Sequence, residues 1–396
     1  MKTLELIISL PLLLTGAYLF FLTATVLIRR QSKFSSRNRK CRSLIVVVPA
    51  HNEESVITKC LSSIKMADQE GISLQLAVIA DNCEDATVER SLALADLVWE
   101  RVDPDKKGKG HAIQAFLRKH QDRVTCHDLI IFLDADTIVQ TDYFMRIVRS
   151  YESQSWRVAQ TFYDVENVTD HWRTKVATLA LSVSHYLRPL ARSLLGGSAG
   201  LKGNGMVFSS ELILQTGWES HSIVEDMEQS INLARDGHSI AYVKDARCLA
   251  EMPMDRKSSS SQRRRWEQGR WLTIKHHVPR LLLEGIKKRS WLMIECCLDL
   301  IFPPMSLIVM LAIPSLMLGW VFGWVIPVSA IFFLTSLALA IGISVSLSHG
   351  FQQLCSSLLL LPIYLFEKIC FYLSWLKKGT AIKEWIRTGR NAEHLS

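Results

Sequence analysis

Charge is what the C-terminal part of this 396-residue chain lacks: from Leu300 to Phe366 there is no Asp, Glu, Lys or Arg, and His349 is the only histidine. No water-soluble domain keeps so long a run uncharged, because every exposed helical turn needs solvated side chains. Paired cysteines are missing too. The nine cysteines (Cys41, Cys60, Cys83, Cys126, Cys248, Cys296, Cys297, Cys355 and Cys370) are odd in number and contain no CxxC. That scatter excludes a zinc ribbon and a secreted disulfide framework, leaving reduced thiols in a cytosolic domain and a membrane. Acids are absent between Ile28 and Glu53. Against these gaps the chain carries a formal net charge of +8 and 48% hydrophobic residues, a pairing that points to a membrane.

Leu6 to Ile28 is a second uncharged run, long enough to cross roughly 30 Å of hydrocarbon as a helix. Arg29, Arg30, Lys33, Arg37, Arg39, Lys40 and Arg42 follow it. This is the positive-inside pattern, so residues from 29 onward are expected in the cytosol. A cleavable signal peptide has its basic residues mainly ahead of the apolar run, so residues 1–28 read as an uncleaved anchor and 29–42 as a basic juxtamembrane linker. The expectation is an integral protein of the cell membrane, inner or plasma, with its catalytic part in the cytosol.

Residues 303–376 read as a second membrane region, with spans over 304–322 and 326–347 about a turn at Gly323 and Pro327. A third apolar segment, 354–376, holds Glu367 and Lys368, which a lipid-crossing helix tolerates poorly. A third span there would also carry the basic tail 377–396 (Lys377, Lys378, Lys383, Arg387, Arg390) outside. An interfacial or re-entrant helix and three spans in all are expected, with four as the alternative. Pro303, Pro304 and the stretch Lys287, Lys288, Arg289 and Trp291 suggest a further interfacial helix over 279–302.

Residues 43–278 have an ordinary composition and alternate short β-branched runs with amphipathic stretches. Leu44 to Val48, Leu74 to Ala80 and Leu129 to Leu133 are apolar on both faces, as strands of a covered parallel sheet must be. Helices are expected over 54–66, 86–95 and 109–120. Strand, helix, strand repeated reads as an α/β, Rossmann-like domain, whose ligands sit beyond the carboxyl ends of the strands.

Those ends carry the chemistry. Val46 to Glu54 (VVVPAHNEE) has Pro49 ending a strand and Glu53 able to bond a ribose or base. Ile79 to Thr87 (IADNCEDAT) puts Asp81 at a strand tip, while Asp85 reads as a helix cap. Phe132 to Thr137 (FLDADT) spaces Asp134 and Asp136 so that both can face one divalent cation; hard oxygen ligands suit Mg²⁺ or Mn²⁺ on a diphosphate. Lys106 to Ala112 (KKGKGHA) sets Lys107 and Lys109 among glycines, as an anion-binding loop opening a helix or as a solvated cluster. Glu225 and Asp226 stand at a helix start, where the dipole stabilises a carboxylate. Gln262 to Trp271 (QRRRWEQGRW) has two tryptophans and four arginines. It reads either as an interfacial helix or as a diphosphate clamp beside a sugar-stacking Trp.

In this order Asp81, then Asp134 and Asp136, then Glu225 and Asp226, then Gln262, Arg265 and Trp266 resemble the D, DxD, ED and QxxRW motifs of membrane-embedded family 2 glycosyltransferases. That group includes cellulose, hyaluronan, chitin and poly-N-acetylglucosamine synthases. The resemblance covers residues 42–275 and implies a GT-A fold with one N-terminal and two to three C-terminal membrane helices. It further implies a nucleotide-sugar donor, a divalent Mg²⁺ or Mn²⁺, and inverting transfer that makes β-linkages.

By the same resemblance Pro49, Glu53 and Asp81 are on the nucleoside side, Lys109 is the phosphate-loop lysine, and Asp136 assisted by Asp134 holds metal and diphosphate. Asp226, beside Glu225, is similar to the general base. Gln262, Arg265 and Trp266 resemble the mouth of an acceptor channel, and Gly203, Asn204 and Gly205 a segment close to donor and acceptor. Trp385 to Arg390 (WIRTGR) resembles a C-terminal element of several members. The chain departs at Ala80, where the common motif has an acid. Its short membrane region is shared with the lipid-specific branch, which lacks the strict DAD. A growing β-linked polysaccharide or oligosaccharide is the expected acceptor; the alternatives are single transfer to a ceramide-type lipid and a scaffold without catalysis. The basic residues lie beside membrane segments, so anionic lipid or diphosphate, not nucleic acid, is their expected partner. Export partners are left open.

Overall fold

The computed structural model describes residues 2–29, 40–349 and 360–378. They form two compact units, one from residues 40–167 and 197–300 and the other from 2–29, 168–196 and 301–378. The Trp385 to Arg390 element and most of the basic residues after Arg29 lie outside the described residues.

The first unit is built on a mixed eight-stranded sheet of order β3-β2-β1-β4-β7-β6-β8-β5. Its strands are β1 (Ser43–Ala50), β2 (Ser73–Asp81), β3 (Leu97–Arg101), β4 (Leu129–Phe132), β5 (Thr137–Val139), β6 (Val158–Val165), β7 (Met206–Ser209) and β8 (Ala241–Ala250). β3, β2, β1 and β4 are parallel, β7 runs antiparallel to β4 and β6, β8 is parallel to β6, and β5 is antiparallel to β8. The expected two-faced burial is present. Val46, Leu76 and Ile131 on one face and Val47, Ala77 and Ile130 on the other are all fully buried. Uncharged strands with both faces covered are what βαβ crossovers produce.

The helices among the described residues are α1 (Lys2–Ile28), α2 (Ile57–Met66), α3 (Thr87–Leu92), α4 (Lys109–Lys119), α5 (Gln121–Thr125), α6 (Tyr143–Ser153), α7 (Trp172–Leu181), α8 (Arg188–Leu194), α9 (Ser210–Thr216), α10 (Glu225–Arg235), α11 (Arg256–Lys287), α12 (Trp291–Ile301), α13 (Met305–Phe322), α14 (Val325–Ser348) and α15 (Leu361–Lys378). The helices expected over 54–66, 86–95 and 109–120 are α2, α3 and α4, each shorter than the apolar period suggested. α11 carries on through Pro279 to Lys287. Its second half packs Val278 and Leu281 against Ile231 and Ala234 of α10 and Met293 and Cys297 of α12.

The second unit collects the apolar helices. α1 and α14 are long and apolar enough to cross a membrane, and a third span results if α12 and the start of α13 are counted together. A methyl at Gly16 of α1 would lie 3.0 Å from the Phe332 ring of α14, so the missing side chain permits the close approach. The hydroxyls of Thr15 and Thr23 donate to carbonyls one turn back, each at 2.7 Å, so they can sit in apolar surroundings.

Residues 168–196, which leave the first unit after β6 and rejoin it before β7, pack here through α7, a π-helical stretch at Ser182–Leu187, and α8. Val183 and Leu187 are buried with Leu12, Leu19, Ala330 and Phe333. The Glu367 that made a span over 354–376 unattractive is paired with Arg173 of α7, Nε to Oε2 at 3.2 Å and Nη2 to Oε1. Lys368 lies over the rings of Tyr364, Phe371 and Tyr372 at 5.7–6.0 Å. Both charges are thus compensated by neighbours without needing bulk water.

Candidate active site

Parallel β1, β2 and β4 end on one edge of the sheet, and antiparallel β7 begins there. The loops that leave and enter this edge bring together residues up to 173 positions apart in sequence, from Glu53 at one end to Asp226 at the other. Pro49 does not end β1, as its ring had suggested. It lies inside the strand opposite Ile79. Val47 accepts from Leu133 N, so by strand alternation the Pro49 nitrogen faces the same side, beyond the last paired residue of β4, and no ladder bond is forfeited.

At the β1 and β2 tips, His51 Nδ1 lies 2.7 Å from the Asp81 carbonyl, and Glu53 is 7% exposed, its N–H donating to Thr87 Oγ1 at 2.8 Å. Asp85 accepts from Thr87 N at 3.0 Å, but it stands one residue before the N-cap Ala86, so it closes the turn that leads into α3 and is not the helix cap expected from sequence. The Asp81 carboxylate is held by Arg101 and by Asn82 Nδ2 at 3.1 Å. Burial raises its pKa, an effect the Arg101 guanidinium opposes.

Arg101 was not singled out from sequence. It reaches across to Asp103 Oδ2 at 2.9 Å and the Lys106 carbonyl at 2.8 Å, tying the β2 tip to the KKGKG loop. The only signal for it is a position at the end of the strand that pairs β2 register for register.

Beyond β4, partly exposed Asp134 and Asp136 flank buried Ala135 in a turn that Thr137 N closes on the Asp134 carbonyl at 3.1 Å. Asp134 N donates to the side-chain oxygen of Asn204 at 3.2 Å. Asn204 is fully buried and donates in turn to Thr137 Oγ1 at 2.8 Å, with its own carbonyl taken by Gln160 Nε2 at 2.7 Å. Gln160, also unmarked in the sequence, accepts from Lys202 N at 2.8 Å. The segment Gly203, Asn204, Gly205 is thereby fixed against β4 and β6, with φ of +79° and +69° at its two glycines.

Lys109, the first residue of α4, donates Nζ to both the Asp134 carboxylate and the Gly203 carbonyl. Burial would lower its pKa, but Asp134, Glu225 and Asp226 outweigh it and the net shift is upward. The next residue of α4 is also constrained, since a Cβ at Gly110 would meet the Ser220 carbonyl at 2.1 Å.

Glu225 and Asp226 open α10. Asp226 Oδ2 lies 3.6 Å from where a Gly203 Cβ would be, and Oδ1 accepts from Met227 N at 2.8 Å. Burial raises the Asp226 pKa, opposed by the Met227 N–H and by Lys202 and Lys109. Burial, reinforced by Asp226 and Asp134, pushes Glu225 up to about 7 against the pull of Lys109. With a folded value above the ordinary 4.5, the stability linked to that proton is complete at low pH and lost as pH rises through about 7. Glu225→Gln is therefore expected to raise the apparent Tm at pH 8 and to leave it unchanged near pH 4.5. Thermal unfolding of the two proteins across that range checks this, and a pH-independent difference would refute it.

Gln262, Arg265 and Trp266 lie on α11, all partly buried. They share a helical face with Gly269, three, four and seven residues on. A Cβ at Gly269 would sit 2.5 Å from Val224 Cγ1, immediately before Glu225. The face carrying QxxRW is thus the one that packs against the start of α10. No group of three or more His, Cys, Asp or Glu side chains arranged for a metal occurs among the described residues. A divalent ion on Asp134 and Asp136 would complete its shell with diphosphate oxygens and water, the usual coordination for Mg²⁺. The donor set fits that ion.

Residues 42–269 match the family model described as glycosyltransferase like family 2. A β-monoglucosyldiacylglycerol synthase of Trichormus variabilis is 23% identical over 281 residues, 69% of this chain and 58% of that protein. The glucomannan 4-β-mannosyltransferase 7 of Arabidopsis thaliana is 21% identical over 57% of this chain and 42% of its own length. The chain thus spans less than two thirds of these curated relatives. Among solved structures, the mannosyltransferase PcManGT of Pyrobaculum calidifontis, in complex with GDP-Man and Mn²⁺, superposes with a TM-score of 0.54 at 15% identity, covering 95% of this chain and 99% of that one. That likeness speaks for the fold.

Proposed function

We propose, for a chain that belongs to glycosyltransferase family 2 and has a GT-A-like α/β fold, that it transfers a sugar from a nucleoside diphosphate sugar, UDP-linked, to a hydroxyl of a growing β-linked saccharide, with inversion. The observation that carries this is the meeting of Asp226, Lys109, Asp134 and Gly203 at the edge where the parallel strands end. Inversion by one in-line displacement needs a base on one side of the anomeric carbon and charge neutralisation on the other. Asp226, whose pKa burial raises above the ordinary carboxylate value, takes the acceptor proton. Lys109 serves the departing diphosphate. Glu53 and Asp81 serve the nucleoside, and Mg²⁺ or Mn²⁺ on Asp136 and Asp134 would supply electrostatic stabilisation of the leaving group.

The QxxRW face supports a sugar as the acceptor. Trp266 can stack on a pyranose, and Arg265 and Gln262 can bond its hydroxyls, on the helix side that packs beside the base. The membrane setting is consistent with α1 and α14. A second reading, single transfer to a glycerolipid, is favoured by the longer alignment with the diacylglycerol-modifying relative than with the mannan synthase.

One assay separates the two. Detergent-purified protein is incubated with UDP- and GDP-sugars, Mn²⁺ or Mg²⁺, and either an oligosaccharide or diacylglycerol, and the products are sized by mass spectrometry. A ladder of saccharides is the expected result. One hexose on lipid would establish the second reading, and no transfer from any donor would refute both.

A further inference from the structure

We infer that Lys109 is a resident counter-ion of the acidic cluster, occupying in the donor-free protein the electrostatic place of the divalent cation, so that the cation binds with the nucleotide and not before it. This rests on the reading of Asp134 and Asp136 as the cation site. An ammonium at the first position of a helix opposes the helix dipole, which by itself disfavours a cation there. Lys109 is nevertheless directed inward, onto Asp134 and the Gly203 carbonyl, with Glu225 and Asp226 close enough to raise its pKa. One ammonium thus serves carboxylates contributed by β4 and α10, and it takes up acceptor capacity on one of the two carboxylates available to a metal.

Among the described residues no third protein carboxylate, histidine or cysteine completes that site. A bare cation would have to displace Lys109 for the sake of two carboxylates. A diphosphate changes the balance, because it supplies the missing oxygens and offers Lys109 an anionic partner of its own. The loop can accommodate such an exchange: Gly108, immediately before Lys109, has φ of +107° and nothing within 4 Å of its Cβ position.

The test is Mn²⁺ binding to the full-length protein in detergent, followed by electron paramagnetic resonance, with Mn²⁺ alone and with Mn²⁺ plus UDP or GDP. Wild type is expected to bind Mn²⁺ strongly only with nucleotide. Lys109→Met should bind Mn²⁺ alone at least about tenfold more tightly than wild type, since one positive charge a few ångströms away has been removed. Lys109→Arg should behave as wild type. Without metal, Lys109→Met should also show a lowered apparent Tm that Mn²⁺ restores, an effect absent from wild type. Equal nucleotide-free affinity in wild type and Lys109→Met would overturn the counter-ion role alone. Failure of both proteins to bind Mn²⁺ even with nucleotide would overturn the cation site itself, and the counter-ion role with it.

Discussion

Asp226→Asn is expected to lower kcat by about 10²–10⁴-fold, the span for loss of a positioned general base, while nucleotide binding persists. The substitution is nearly isosteric. The amide oxygen can still accept from Met227 N, which Asp226 Oδ1 now does at 2.8 Å, so the first turn of α10 should survive. What is lost is the ability to take a proton, together with one negative charge from a cluster in which Asp226 raises the pKa of Glu225.

Adjacent helical residues point about 100° apart, so Glu225 cannot occupy the same position. The carboxylate 3.6 Å from the Gly203 Cβ position belongs to Asp226. Steady-state kinetics and nucleotide titration of the same preparation check the prediction. Turnover within a factor of a few of wild type would remove Asp226 from the role of base.

Gly205→Ala is expected to be strongly damaging to the α/β unit. The new carbon would lie 2.1 Å from Thr161 Oγ1 and 2.8 Å from Cys248 Sγ, and the residue holds φ of +69°. Neither neighbour can retreat easily. Thr161 Oγ1 donates to the Gly205 carbonyl at 3.0 Å and lies 3.0 Å from Tyr143 Oη, and both Thr161 and Cys248 are fully buried. Overpacking of a rigid site and the left-handed backbone together cost about 2–4 kcal/mol, or a fall in apparent Tm on the order of 5–15 °C.

Activity should fall further than stability, because Gly205 N anchors to the Phe132 carbonyl and displacement of this segment moves the Asn204 side chain that fixes Asp134. Gly71→Ala is the comparison that isolates the backbone contribution, since Gly71 has φ of +72° but nothing within 4 Å of its Cβ position. Similar Tm losses in the two variants would show that the clash contributes nothing.

The sheet and its parallel half were legible because the signal is local. Leu44 to Val48, Leu74 to Ala80 and Leu129 to Leu133 are uncharged runs bounded by polar loops, which only two-sided burial explains. The acidic strand tips were legible for the same reason, each standing directly after its run. Pro49 misled because the penalty for a proline depends on the neighbour facing its nitrogen, and β4 has already ended there. Arg101 and Gln160 were invisible because their importance lies in partners 20 and more residues away, Asp81 in one case and Asn204 in the other. Glu367 looked incompatible with an apolar helix until Arg173, 194 positions earlier, supplied the compensating charge.

Sequence by itself determined that this is an α/β chain with apolar helices long enough to cross a membrane and a series of carboxylates at strand ends, since periodicity and charge are properties of neighbouring residues. Only the tertiary structure decided which of those carboxylates share a site. The antiparallel return of β7 brings Gly203 to the end of β4, and the absence of a side chain at Gly269 lets α11 close on the start of α10. The excursion of residues 168–196 into the apolar unit was likewise decided by packing, because burial of Val183 and Leu187 against α1 and α14 is a long-range contact that no local pattern encodes.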